Sequence, residues 1–236
     1  MTERFPTTSW STILAAHRSS DPTGADALNR LCESYWYPLY AYARRCGSGP
    51  DDAMDLTQGY FAQLIERGDL HNVDPALGRF RSFLLVSMRH FISHERQRVS
   101  AQKRGGALTI VALEARSAED RYAFESADLL TPDKLFERAW AITLVNRVIE
   151  RLDQEYHESG RVAWFEAMRG CLSGQEIASY SKAAEELVTS EGALRVAVHR
   201  MRKRFGALLR EEISATVADP AEVDDELRFL LAALST

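Results

Sequence analysis

The residues whose type and spacing point most directly to a chemistry are the cations between Ser190 and Arg210, in SEGALRVAVHRMRKRFGALLR. Arg195, His199 and Arg202 recur at intervals of four and three, with Lys203 beside them and Arg200 and Arg204 on the flank. On a 3.6-residue period they fall on one side of a helix, while Leu194, Ala197, Val198, Met201, Phe205 and Leu208 gather on the other. The apolar side must be covered by core. The cationic side must face water or a polyanion. A second such stretch, RFRSFLLVSMRHFISHERQR, places Phe80, Phe83, Leu84, Phe91 and Ile92 among its cations. Rings between arginines suit single-stranded nucleic acid, because bases stack on rings while cations follow phosphates. Core packing asks for the same rings.

Other chemistries are poorly served. His90 and His94 stand four apart with Glu95 adjacent, but the order is HxxxHE rather than HExxH and no further ligand cluster accompanies them. No metal site is expected. No Ser/His/Asp order, paired carboxylate site or glycine-rich phosphate loop stands out, and Gly105 and Gly106 lack the spacing of a nucleotide motif. The chain is therefore read as a non-enzyme with no catalytic residue and no cofactor. Cys32, Cys46 and Cys171 are widely separated and form no CxxC pair, so they read as buried small apolar residues.

The elements that must position these cations are all helical. Upstream of the cationic helix, Ser181 to Val188 is a short helical pattern with Ala184 and Leu187 as its apolar contacts. Thr189 and Ser190 supply cap oxygens for the second helix, which makes the pair a helix-turn-helix candidate. A solvated amphipathic hairpin is the alternative. Nearer the N-terminus, Ser9 is expected to cap a short helix that ends at Asp21, Pro22 and Gly24. A longer helix is predicted from about Ala25 to Arg45, with Leu28, Leu31, Cys32, Tyr35, Leu39 and Tyr42 inward. Asp51 and Asp52 sit at the positive end of the next helix, whose Ala53, Leu56, Phe61, Leu64 and Ile65 face inward and whose Asp52, Asp55, Gln58 and Gln63 form an acidic and amide surface. Asp69 to Gly78 reads as a loop. Thr131 and Pro132 start a strong helix, with Leu135, Phe136, Trp140, Leu144, Val148 and Ile149 inward, and Arg161 to Leu172 forms another.

Charge is distributed unevenly. The chain carries a net −5, yet Arg79 to Arg104 holds +6 and Glu191 to Arg210 holds +5, which leaves −16 for the remainder. Two polyanion-facing patches on an acidic body fit that asymmetry. No run approaches the ~18 apolar residues of a membrane span, and MTERFPTTSW lacks a basic segment followed by an apolar one. A cytoplasmic protein is expected. Gly105 to Pro132 has two glycines, mixed charge and weak periodicity, and reads as a linker. The expected division is a domain over 1–104, a linker over 105–131, a helix-turn-helix domain over 132–214 and an acidic helical extension over 215–236. In the extension Val223, Leu227, Leu230 and Leu234 share a stripe, with Asp224, Asp225 and Glu226 elsewhere. It is read as packing on the second domain. A sharper alternative has it screening the cationic face of the recognition helix.

Three stretches carry a family resemblance. DDAMDLTQGYFAQL resembles the polymerase-docking motif in region two of bacterial sigma factors, and FRSFLLVSMRHFISHERQR the following segment that melts and reads the minus ten element. YSKAAEELVTSEGALRVAVHRMRKRF resembles region four. Their order and spacing, with no intervening region three domain, are similar to the extracytoplasmic function, or ECF, group. The resemblance covers roughly Ala25 to Glu212. It implies a transcription initiation factor of two helical domains whose partners are core RNA polymerase and promoter DNA. Asp52, Asp55, Leu56, Gln58 and Phe61 would dock on the clamp helices of the largest polymerase subunit. Arg81, Arg89, His90, Phe91, His94, Arg96 and Arg98 would hold the melted strand. Ser190, Arg195, His199, Arg200, Arg202, Lys203 and Arg204 would bind promoter DNA, with Arg195, His199, Arg202 and Lys203 reading the minus thirty-five element and Arg200 and Arg204 contacting phosphates. An anti-sigma protein or a kinase as regulator is left open. The chain departs from the family at His90, where asparagine is usual, at His94, and at Val188, where the region four turn usually has glycine. The competing readings are a dimeric helix-turn-helix regulator that acts without polymerase and a helical adaptor that never touches DNA.

Overall fold

The computed structural model describes residues 22–66, 79–101, 112–125, 130–214, 216–217 and 219–235. The short helix expected after Ser9 and the loop expected at Asp69 to Gly78 lie outside these residues. Regular structure among the described residues is all helical: α1 Pro22–Arg45, α2 Pro50–Glu66, α3 Phe80–Ala101, α4 Ala112–Glu125, α5 Pro132–Glu158, α6 Val162–Met168, α7 Tyr180–Glu186, α8 Glu191–Ser214 and α9 Val223–Leu234. Short 3-10 turns at Arg169–Ser173 and Pro220–Glu222 complete them. The chain forms two compact units, one of Met1–Thr143 with Ser214–Thr236 and one of Leu144–Ile213. The division falls within α5, and the C-terminal segment belongs to the first unit, whereas the sequence suggested a break near 132 and a tail attached to the second domain.

In the first unit α1 packs on α2, α3 and α4, and α2 packs on α3 and α4. Pro22 and Pro50 each open a helix, where the missing N–H has no intrahelical acceptor to lose. Leu31, Tyr35, Leu39, Tyr40 and Tyr42 of α1, Ala53, Tyr60, Phe61 and Leu64 of α2, and Phe80, Leu84, Met88 and Ile92 of α3 form the core. Thr57 is buried among them because its hydroxyl donates to the Ala53 carbonyl at 2.7 Å. Gly59 lets α2 and α3 close, since a Cβ there would stand 3.3 Å from the Phe91 ring. Cys32 and Cys46 are only half-buried, unlike Cys171. Their neighbours on α1, several of them tyrosines, take the interior positions that the cysteines were expected to share.

The segment expected as linker contains α4, and α4 is anchored by the buried Ala118 and Tyr122 together with charged groups around Glu119. Arg44 donates to both Glu119 oxygens, at 2.9 and 2.7 Å, and the Tyr40 hydroxyl donates to one of them at 2.6 Å. The Arg44 guanidinium holds the Glu119 carboxyl below the usual carboxylate range, while burial and Glu119 push the Tyr40 phenol up. Arg121 lies 3.6 Å from the Tyr37 ring centroid and donates to Thr143 Oγ1 at 3.3 Å. Charge-assisted bonds of this kind are shorter and stronger than neutral ones and add to that burial.

In the second unit the later turns of α5 supply Leu144, Val148 and Leu152, α6 supplies Phe165 and Met168, and α8 supplies Leu194, Val198, Met201, Leu208, Leu209 and Ile213. Ala197 and Phe205 of the expected stripe are half-buried at its edges. Ser179 caps α7 by accepting from the Lys182 N–H at 3.2 Å, and Ser190 caps α8 by accepting from the Ala193 N–H at 3.2 Å.

Three helices end in the same closure, in which a residue with positive φ lets two successive N–H groups return to the last turn. After α1 the residue is Gly47, with Gly47 N–H to Arg44 O at 2.9 Å and Ser48 N–H to Ala43 O at 3.2 Å. After α5 it is Gly160, with bonds to His157 O at 3.0 Å and from Arg161 to Tyr156 O at 2.8 Å. After α7 it is Val188, at φ 51°, with its own N–H on Glu185 O at 3.1 Å and Thr189 N–H on Ala184 O at 2.9 Å. A β-branched side chain in the left-handed region costs about 1–2 kcal/mol, and at 93% exposure Val188 recovers nothing by burial. Val188→Gly should therefore stabilise the protein by about 1 kcal/mol after the extra entropy of an unfolded glycine, read as a higher urea midpoint.

Candidate nucleic-acid and protein interfaces

In the second unit α7 and α8 are joined by a turn over 187–190, and α8 is exposed along its cationic side. His199, Arg200 and Lys203 are exposed, and among the described residues no acidic side chain pairs with them. The remaining cations of this helix have internal work. Arg195 lies over the Tyr180 ring at 4.1 Å and 3.8 Å from Glu191, so it is held against α7 while staying exposed. Arg202 donates from Nε to the Cys171 carbonyl at 3.1 Å. Arg204 grips Glu155 of α5 through two bonds, at 2.9 and 2.6 Å, and stands 3.7 Å from Glu211. That grip holds the Glu155 carboxyl below its usual range and raises the Arg204 guanidinium. Arg204 thus fastens α8 to α5 rather than standing free for a phosphate. The Ser190 hydroxyl oxygen is occupied by the cap.

In the first unit the cations of α3 divide sharply. Arg81, expected to hold a nucleic-acid strand, is 6% exposed. It forms an ion pair with Glu226 of α9, which is 1% exposed and is also 2.6 Å from Arg79. The Arg81 guanidinium lies 3.9 Å from the Phe229 ring centroid and 5.1 Å from that of Trp140. Burial, with Arg79 alongside, lowers it to about 10, so it remains a cation at neutral pH. Its charge is consumed by the interior. The C-terminal helix accordingly packs within the first unit through Glu226, Phe229 and Leu230.

The second half of α3 stays on the surface. His90, His94 and Arg98 are exposed, and Arg98 pairs with Glu95 at 2.9 Å. Arg89 reaches Asp133 at 2.6 Å and the Tyr42 hydroxyl at 3.2 Å, and Arg96 donates to the Cys46 carbonyl at 2.7 Å. Between these two guanidiniums lies a pocket of about 400 Å³ lined by Tyr42, Cys46, Ile92, Ser93 and Gln97. Phe91 is half-buried, edge-on to Tyr60 at 5.8 Å. Ser93 and Gln97 were not singled out in the sequence, and Tyr42 was expected only as an inward residue of α1. The only signal for them is position, one turn from the two arginines or across from them on α1.

On α2, Asp51, Asp52 and Asp55 are exposed, with Leu56 and Gln58 half-exposed beside them. Phe61, expected at the docking surface, is 6% exposed and packs edge-on to Tyr60 at 5.7 Å. It supports the surface from beneath.

Removing one member of the Glu226 cluster leaves an uncompensated buried charge, which costs about 3–5 kcal/mol, whereas replacing the charges together with apolar groups of like size is far milder. Glu226→Ala should lower stability by that amount and the double variant Arg81→Met, Glu226→Leu by much less, both read by urea unfolding. No protein-family model, curated protein or solved structure matches the chain.

Proposed function

We propose that the chain is a transcription initiation factor of the ECF sigma type, which binds core RNA polymerase and directs it to promoters. The observation that carries this reading is the pair of helices α7 and α8, joined by a short turn, with His199, Arg200 and Lys203 exposed on the second and paired with no acidic side chain among the described residues. Such a helix enters the major groove with its first turns toward base edges, and cations farther along meet phosphates. In this account Arg195, His199, Arg202 and Lys203 face the minus thirty-five element, with Arg200 on the backbone.

The first unit supports the other half of the reading. The exposed half of α3 offers Arg89, His90, His94, Arg96 and Arg98 to a displaced strand. The pocket between Arg89 and Arg96 combines an apolar floor at Ile92 with polar walls, a combination that suits an unstacked base. Arg81 takes no part, because it is committed to Glu226. Asp52 and Asp55 beside half-exposed Leu56 give α2 an acidic surface with an apolar centre, the chemistry of a docking site for a basic protein surface.

The test is co-purification with bacterial core RNA polymerase. Wild type should be retained, and Asp55→Arg and Leu56→Arg, both at positions outside the core, should reduce retention at least tenfold with unchanged far-ultraviolet circular dichroism. Failure of the folded wild-type chain to bind core enzyme would overturn the proposal.

A further inference from the structure

Val196 is a large apolar side chain left outside on α8, at 49% exposure. Val188 is more exposed still, at 93%, but its position is dictated by the turn it closes. Val196 has no such reason. It sits within a regular helix, where β-branching disfavours helix formation, and its burial is too slight to repay that cost. Its surroundings on the same helix face are specific. Gly192 and Ala193 lie one turn before it, both exposed, and a Cβ on Gly192 would meet nothing within 4 Å. His199 and Arg200 follow one turn after it, and Lys203 two turns after it, all exposed. The face therefore runs from small residues at the start of the helix, through one apolar side chain, to cations.

Duplex DNA offers a matching sequence of surfaces. Close approach of a helix to the groove floor needs small side chains, phosphates lie along the walls, and the apolar group at base level in the major groove is the thymine 5-methyl. A side chain with donors would pair with several base edges. Valine has none and can only pack. We propose that Val196 is a specificity-determining residue that packs on the methyl of one thymine in the bound duplex. The inference rests on the reading of α7 and α8 as a duplex-binding helix-turn-helix. The patch has one exposed valine among cations, and that charge favours a polyanion over an apolar protein surface.

The experiment uses the full chain, with and without core RNA polymerase, and a randomised duplex library. The enriched duplex is remade with each thymine replaced in turn by deoxyuridine, which removes only the methyl. One replacement should weaken binding by wild type about fourfold, the worth of one buried methyl group. The Val196→Ser variant should bind thymine and uracil copies alike and keep the wild-type dependence on salt. Equal binding of every copy by wild type overturns the proposal, as does a uracil penalty that persists in Val196→Ser. If no duplex is enriched under either condition and Arg200→Ala changes nothing, the duplex reading itself fails. Enrichment with no methyl effect removes this inference alone.

Discussion

The first unit depends on one buried carboxylate. Glu226 stands between Arg79 and Arg81 with the rings of Phe229 and Trp140 around them. Taking the Arg81 and Glu226 charges out of water is costly, and their pairing, with the part-exposed Arg79 alongside, makes it tolerable. That requirement fixes where the C-terminal helix goes. It also removes the first turns of α3 from any external role, so the surface chemistry of α3 begins at Arg89. A helix that looks uniformly basic in sequence is thus divided into an internal half and an external half.

The same division of labour recurs among the other arginines. Arg44 and Arg121 hold α4 against α1 and α5, and Arg204 holds α8 against α5. Arg195 is braced on Tyr180 while its helix face stays outward. Beside the braced but exposed Arg195 and Arg202, the cations of α8 include a short exposed row, His199, Arg200 and Lys203, flanked by Val196. The row is presented by a turn whose left-handed residue is a valine. Both of its neighbouring hydrogen bonds are made, so the closure is kept at some cost in strain. The turn between α7 and α8 is set by backbone hydrogen bonding, with the side chain at that position a poor match to it.

Legibility in the sequence followed the source of stability. Helices whose anchoring is apolar were readable from periodicity: Leu135, Phe136, Trp140, Leu144 and Val148 of α5, and Leu194, Val198, Met201 and Leu208 of α8, are buried as their spacing requires. The caps at Ser190 and Thr131 were readable for the same local reason. Elements anchored by charge were not. The segment around Glu119 has mixed charge and weak periodicity and looks like linker until Arg44 and Tyr40 are brought to it from 75 and 79 residues away. Glu226 looks like surface acid because its partners lie far back in the chain, and Arg81 looks like a ligand contact for the same reason. Val196 was overlooked because an exposed residue contributes nothing to an apolar stripe.

The central claim is that this chain gives core RNA polymerase a promoter specificity. Its most direct test is transcription by purified bacterial core enzyme on a randomised duplex template library, with the 5′ ends of the transcripts sequenced in the presence and absence of the chain. The account predicts a discrete set of start sites that appear only with the chain and share two upstream elements. Start sites that are unchanged by a chain shown to be bound to the core enzyme would contradict it.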